Sequence, residues 1–149
     1  YFYRRAANLA PALGEAAFGG HDADLIHNFN DESAIGPRIV VYGLVHDEFG
    51  RGTGGALVEV WQANAGGRYR HNKKGYVAAF DSNFGGCGRV ISDADRKYEF
   101  RTIMPKPYPW TNGMNAWHPA HIHFSVFGHG FAQRLIAQFY FEGDPLFPI

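Results

Sequence analysis

From Arg38 onward the apolar residues arrive in short runs rich in Val, Ile, Phe and Tyr, each closed by Gly, Pro, Asn or Asp. That punctuation constrains the fold more than any other feature, because a core-facing helix needs a longer, uninterrupted 3.6-residue pattern. Arg38–Val45, Ala56–Gln62, Tyr98–Ile103, Ala120–Phe127 and Leu135–Phe141 are the predicted strands. Arg38–Val45 and Ala56–Gln62 flank the turn cluster Asp47-Glu48-Phe49-Gly50 and read as one β-meander unit. The Ala-rich stretch Arg4–Phe18 carries a Pro and a Gly and supports at most a short helical turn. His21–Ile26 reads as a solvated turn leading into a short strand, and the glycine-rich Asn83–Arg89 as a loop. The expectation is an all-β chain, a β-sandwich or barrel of short, mostly antiparallel strands with long loops.

Residues 1–149 are about one domain's worth. The chain opens without Met and stops straight after an ordered-looking stretch, so it is expected to be truncated at both ends. Lys+Arg 14 balances Asp+Glu 14, which gives neither nucleic acid nor an anionic membrane surface a reason to bind. A single cysteine, Cys87, cannot close an internal disulfide, and this fits a reducing cytoplasm. Cys87 reads as a buried small residue, and Arg68 and His71 as solvated loop residues.

Chemistry concentrates at Trp117-His118-Pro119-Ala120-His121-Ile122-His123. Alternation along a strand puts His121 and His123 on one face and Ile122 and Phe124 on the other. Alone, a His-x-His pair is as readily a pair of surface or hydrogen-bonded histidines as half a metal site. The rigidly presented oxygens nearby are phenols: Tyr108, clamped between Pro107 and Pro109, and Tyr69, in the glycine loop Asn64–His71. Two phenolates, two imidazoles and a hydroxide neutralise Fe(III), whereas zinc sites favour Cys, His and carboxylate. Spacing alone leaves Tyr108 equally a packed loop aromatic and Tyr69 a surface one.

A resemblance decides between these readings. The run Leu57–His71 (with Glu59-Val60-Trp61-Gln62-Ala63-Asn64 and Gly67-Arg68-Tyr69-Arg70-His71) is the first of four matching segments. Pro107-Tyr108-Pro109-Trp110, Pro119-Ala120-His121-Ile122-His123-Phe124 and Gln138-Phe139-Tyr140-Phe141-Glu142-Gly143-Asp144 follow it in order. Together they resemble the intradiol ring-cleaving dioxygenases, and within them the β chain of the protocatechuate-cleaving branch. The match runs from about His21 to the C-terminus. The resemblance implies a β-sandwich core and a mononuclear non-haem Fe(III) held by Tyr69, Tyr108, His121 and His123. Tyr108 and His123 would be axial, with Tyr69, His121 and a hydroxide equatorial. It implies substrate contacts from Trp61, Trp110 and Gln138, and cleavage of a catechol by O2 between its two hydroxyl-bearing carbons. Hydroxide and Tyr108 would take the two catechol protons. The partner would be an α chain that completes the pocket in a hetero-oligomer.

One position departs from the pattern. The family has Arg-Pro-Ala-His where this chain has His118-Pro119-Ala120-His121. A guanidinium is always charged, and an imidazole is shorter and not permanently so. His118 is therefore expected to leave metal binding intact and to weaken substrate activation. Two other readings compete: a catechol or hydroxyquinol dioxygenase, and a β-sandwich module that kept the scaffold and lost catalysis.

Overall fold

The computed structural model describes residues 22–70, 77–109, 116–128 and 134–146. In chain order the strands are β1 Arg38–Leu44, β2 Leu57–Gln62, β3 Cys87–Ile91, β4 Lys97–Ile103, β5 Tyr108–Pro109, β6 Trp117–His118, β7 His121–Phe127 and β8 Arg134–Tyr140. All the pairings between them are antiparallel. They form a four-stranded sheet in the order β3-β2-β7-β8, a two-stranded sheet β1-β4, and a short ribbon β5-β6. The all-β sandwich expected from the sequence is the fold observed, and the described residues contain no helix.

Val41, Phe100 and Ile103 from β1 and β4 meet Val58, Val60, Ile122 and Phe124 from β2 and β7 in one buried core. Leu25 and Ile26 fill its edge. The Phe100 and Phe124 rings lie 5.9 Å apart, tilted. Gln62 ties the two layers together: its side-chain amide donates to the Ile103 carbonyl at 2.8 Å, and its oxygen accepts from the Thr102 hydroxyl at 2.9 Å. Both groups are fully enclosed, so these bonds replace water that neither can reach.

Two expectations fail. β1 and β2 do not form a meander, because β1 pairs with β4 and β2 pairs with β3 and β7. Adjacent runs joined by a turn cluster predict a hairpin only when their apolar faces point the same way. Here the chain crosses between layers at the turn instead. The end of the stretch read as a glycine loop is strand β3. Its glycine weakens strand propensity but serves packing: a Cβ on Gly88 would collide with the Leu25 side chain and the Asp22 carbonyl. The stretch after Asp22 is a turn with buried Leu25 and Ile26, joined to β4 by an isolated bridge from Asp24 to Arg101 and to β3 by the Arg89 N–H, which donates to the Asp22 carbonyl at 3.0 Å. His21, His71 and Arg4–Phe18 lie outside the described residues.

The β7 register positions the site. With Ile122 and Phe124 turned into the core, His121, His123, Ser125 and Phe127 must occupy the opposite face. Across from them stand Trp61 and Gln138 beside His123, and Tyr140 beside His121.

Candidate metal centre

His121 and His123 bring their Nε2 atoms to 3.1 Å. The His121 Nδ1–H donates to the Pro119 carbonyl at 2.8 Å, which fixes the tautomer and leaves its Nε2 as an acceptor. The Pro119 carbonyl thus aims the imidazole. The His123 ring stacks on Trp61, with centroids 4.8 Å apart and planes within 2°.

Two phenols close on the same place. The Tyr69 and Tyr108 rings are 5.3 Å apart and nearly perpendicular. Tyr108 lies 5.6 Å from the His121 ring, and Tyr69 lies 6.2 Å from that of His123. The Tyr69 hydroxyl is buried, with Tyr108 near enough to bear on it. The four side chains come from three separate segments and converge on one volume.

The loop that carries Tyr69 is built by Asn64. Its Oδ1 accepts from the backbone N–H of Gly66 and of Arg68, both at 2.9 Å, and its Nδ2 donates to the Ala79 carbonyl at 3.0 Å. Gly67 then takes φ +80°, and a Cβ there would run into the Pro107 carbonyl oxygen. The Tyr69 loop and the Tyr108 segment can approach this closely only because that Cβ is missing. Gly67→Ala is expected to cost about 1–3 kcal/mol of stability from the φ alone. A denaturant midpoint measures it, and the clash should also lower metal occupancy.

Burial pushes both phenols up, Tyr69 beyond the accessible range, and the neighbouring Tyr108 adds to the effect on Tyr69. Burial pushes both imidazoles down, His123 to about 4, helped by His121 and His118 beside it. Near neutral pH the cluster therefore holds two neutral imidazoles and two protonated phenols. A cation strong enough to displace phenol protons is the group that turns these four into ligands. Among the described residues no cluster of three or more His, Cys, Asp or Glu exists, so the donor set is phenol and imidazole, unlike a zinc site. The residues fit a hard, highly charged ion.

His118 pairs with Tyr108 across the β5-β6 ribbon, and their rings stack at 5.2 Å and 21°. His118 thus lies against the phenol rather than apart from it. Of the residues expected to touch substrate, Trp61 backs His123, and Gln138 stands opposite His123 on β8 and accepts a hydrogen bond from Tyr140. Trp110 lies outside the described residues. Tyr69, read from spacing alone as a surface aromatic, has a buried hydroxyl.

Tyr140 is the site residue that sequence reasoning missed. Its ring lies 5.5 Å from that of His121, and its hydroxyl is near enough to Tyr69 and Tyr108 to bear on both. The signal was available: Tyr140 is two residues beyond Gln138 on the same face of a predicted strand. Arg68 is less solvated than expected, since its guanidinium donates to the Ala78 carbonyl at 3.0 Å. Cys87 is half-buried on the same face of the sheet, its thiol pushed up to about 11 by burial.

Comparison with known proteins gives the family of the chain as a whole. The Dioxygenase family model matches residues 9–149. The protocatechuate 3,4-dioxygenase beta chain of Burkholderia cepacia is 51% identical over 138 residues, covering 92% of this chain and 59% of its own length. Catechol 1,2-dioxygenase 1 of Acinetobacter lwoffii is 36% identical over 137 residues, covering 85% and 42%. The crystal structure of chlorocatechol 1,2-dioxygenase from Pseudomonas putida superposes with a TM-score of 0.64 at 27% identity, over 91% of this chain and 55% of that one. This chain therefore spans roughly half the length of the relatives it matches. With the family model matched over nearly its whole length and the β-sandwich shared, the chain belongs to the intradiol ring-cleaving dioxygenase family.

Proposed function

We propose that this chain is the iron-binding β chain of an Fe(III)-dependent intradiol dioxygenase that cleaves protocatechuate with O2 to 3-carboxy-cis,cis-muconate. The observation that carries the reading is the convergence of two imidazoles, Nε2 to Nε2 at 3.1 Å, with the two phenols Tyr69 and Tyr108, whose rings lie 5.3 Å apart. Tyr69, Tyr108, His121 and His123 would hold the ion. A ferric ion supplies Lewis acidity, acidifying the catechol hydroxyls and drawing electron density from the ring toward attack by O2.

The chain's own residues do the rest. Tyr108 Oη is the base that accepts a catechol proton as the substrate arrives. Its placement between Pro107 and Pro109 keeps the phenol aimed while the proton moves. Trp61 holds the His123 plane, and the Pro119 carbonyl holds that of His121, so neither imidazole swings during the exchange. Gln138 and Tyr140, braced against each other, form one wall of the substrate space.

The choice of protocatechuate rests on the 51% relative of that name, and an α chain is the partner its name suggests. Catechol is the second reading, supported by the 36% relative. Residues 1–149 would act as one domain, and the lone Cys87 suits a reducing cytoplasm. Among the described residues no helix is long and apolar enough to cross a membrane. Oxygen uptake and product analysis of the iron-loaded chain with protocatechuate, catechol and hydroxyquinol test the reading. The muconate from protocatechuate supports it. A product cleaved outside the two hydroxyl-bearing carbons contradicts it.

His118 sets the level of activity in this scheme. It stacks on Tyr108 where the family's arginine is expected, so it reaches the substrate less well. His118→Arg is expected to raise kcat severalfold with iron content unchanged. Equal kcat in both proteins rejects this role.

A further inference from the structure

Glu59 lies on β2 between Leu57 and Trp61, on the face turned away from the core that Val58 and Val60 fill. Its cross-strand neighbours are Arg89 on β3 and Ser125 on β7. The next residue on that face, Trp61, pairs with His123, so a single rung separates Glu59 from the metal cluster. Glu59 is only 7% exposed, and among the described residues no group hydrogen-bonds its Oε1.

A buried carboxylate oxygen with no donor needs a reason to be there. The cations around it are held in part by other groups. Arg89 faces it, but its Nε is drawn to Asp22 at 3.3 Å. From β8, Arg134 turns its Nε to the Ser125 hydroxyl at 2.9 Å. Cys87 and His123 are the other titratable groups on the rungs beside it. Burial pushes the Glu59 carboxyl up and Arg89 opposes this only in part. In an apolar core such a residue is a liability. One rung from a site built for a highly charged cation, it is an asset.

We propose that Glu59 is a positioning residue for charge, a buried carboxyl that acts through the ligand cluster to favour the trivalent over the divalent ion. The inference rests on the ferric reading above. It assigns Glu59 no contact with substrate, and it places the redox preference of the site in the layer behind His123.

The test compares wild type, Glu59→Gln and Glu59→Asp, each loaded with iron. Glu59→Gln is expected to raise the midpoint potential and to weaken ferric retention against a chelator by about tenfold. Glu59→Asp keeps the negative charge and should restore most of both. Identical potentials and retention in wild type and Glu59→Gln overturn the proposal, as does a loss that Glu59→Asp fails to restore. If Glu59→Gln does not fold, infrared difference spectra of glutamate-labelled wild type decide. A protonated-carboxyl band present without iron and lost on loading supports the proposal, and an unchanged band overturns it. Wild type that takes up no ferric ion sinks the ferric reading itself, whereas iron-replete wild type with an indifferent Glu59→Gln sinks only this inference.

Discussion

Replacing Tyr108 by Phe is expected to lower kcat by about 10²–10⁴-fold, the range that a positioned general base contributes. The variant keeps the ring that stacks on His118 and loses only the oxygen that would take the catechol proton. It also removes a polar neighbour of the buried Tyr69 hydroxyl, so a small change in stability should accompany the kinetic loss. The two effects separate in a kinetic and a denaturation experiment on the same preparation. Rapid-mixing measurement of the substrate-binding phase should show the loss there, since that is where the proton moves. A variant with wild-type kcat would remove Tyr108 from the reaction.

The second large effect concerns the histidines. His123→Ala and His121→Ala should each lower iron affinity by more than about a hundredfold, beyond what even the groups that orient ligands contribute. The two variants should differ in a secondary way. His123→Ala also removes the ring that Trp61 stacks on, so it should lose more packing. His121→Ala leaves the half-buried Pro119 carbonyl without its donor. Iron content after dialysis measures the first effect, and thermal midpoints of the metal-free proteins measure the second. Full iron occupancy in either variant would take that imidazole out of the ligand set.

How much of this was legible beforehand follows from what each residue's neighbours are. The predicted strands were visible because alternating apolar residues leave a local trace, and the observed bounds agree within a residue or two. The pairing of β1 with β4 left no such trace, since their partners lie far apart in the chain. β3 was hidden by Gly88, whose value lies in the close approach of Leu25, a contact no window of sequence displays. At the site, His121 and His123 were paired by period alone. Tyr69 and Tyr108 needed a resemblance, because nothing local says that Gly67 lets the two loops touch. Tyr140 was overlooked although its alternation with Gln138 could have found it. The stacking of His118 on Tyr108 depends on the β5-β6 ribbon, two residues per strand, too short for a pattern to show.

The most direct measurement is the visible absorption spectrum of the ferric-loaded protein. Phenolate coordination to Fe(III) is expected to give a broad tyrosinate-to-metal band and a burgundy colour, reduced in Tyr69→Phe and in Tyr108→Phe. A protein that retains stoichiometric ferric ion yet stays colourless would contradict the claim that Tyr69 and Tyr108 bind the metal.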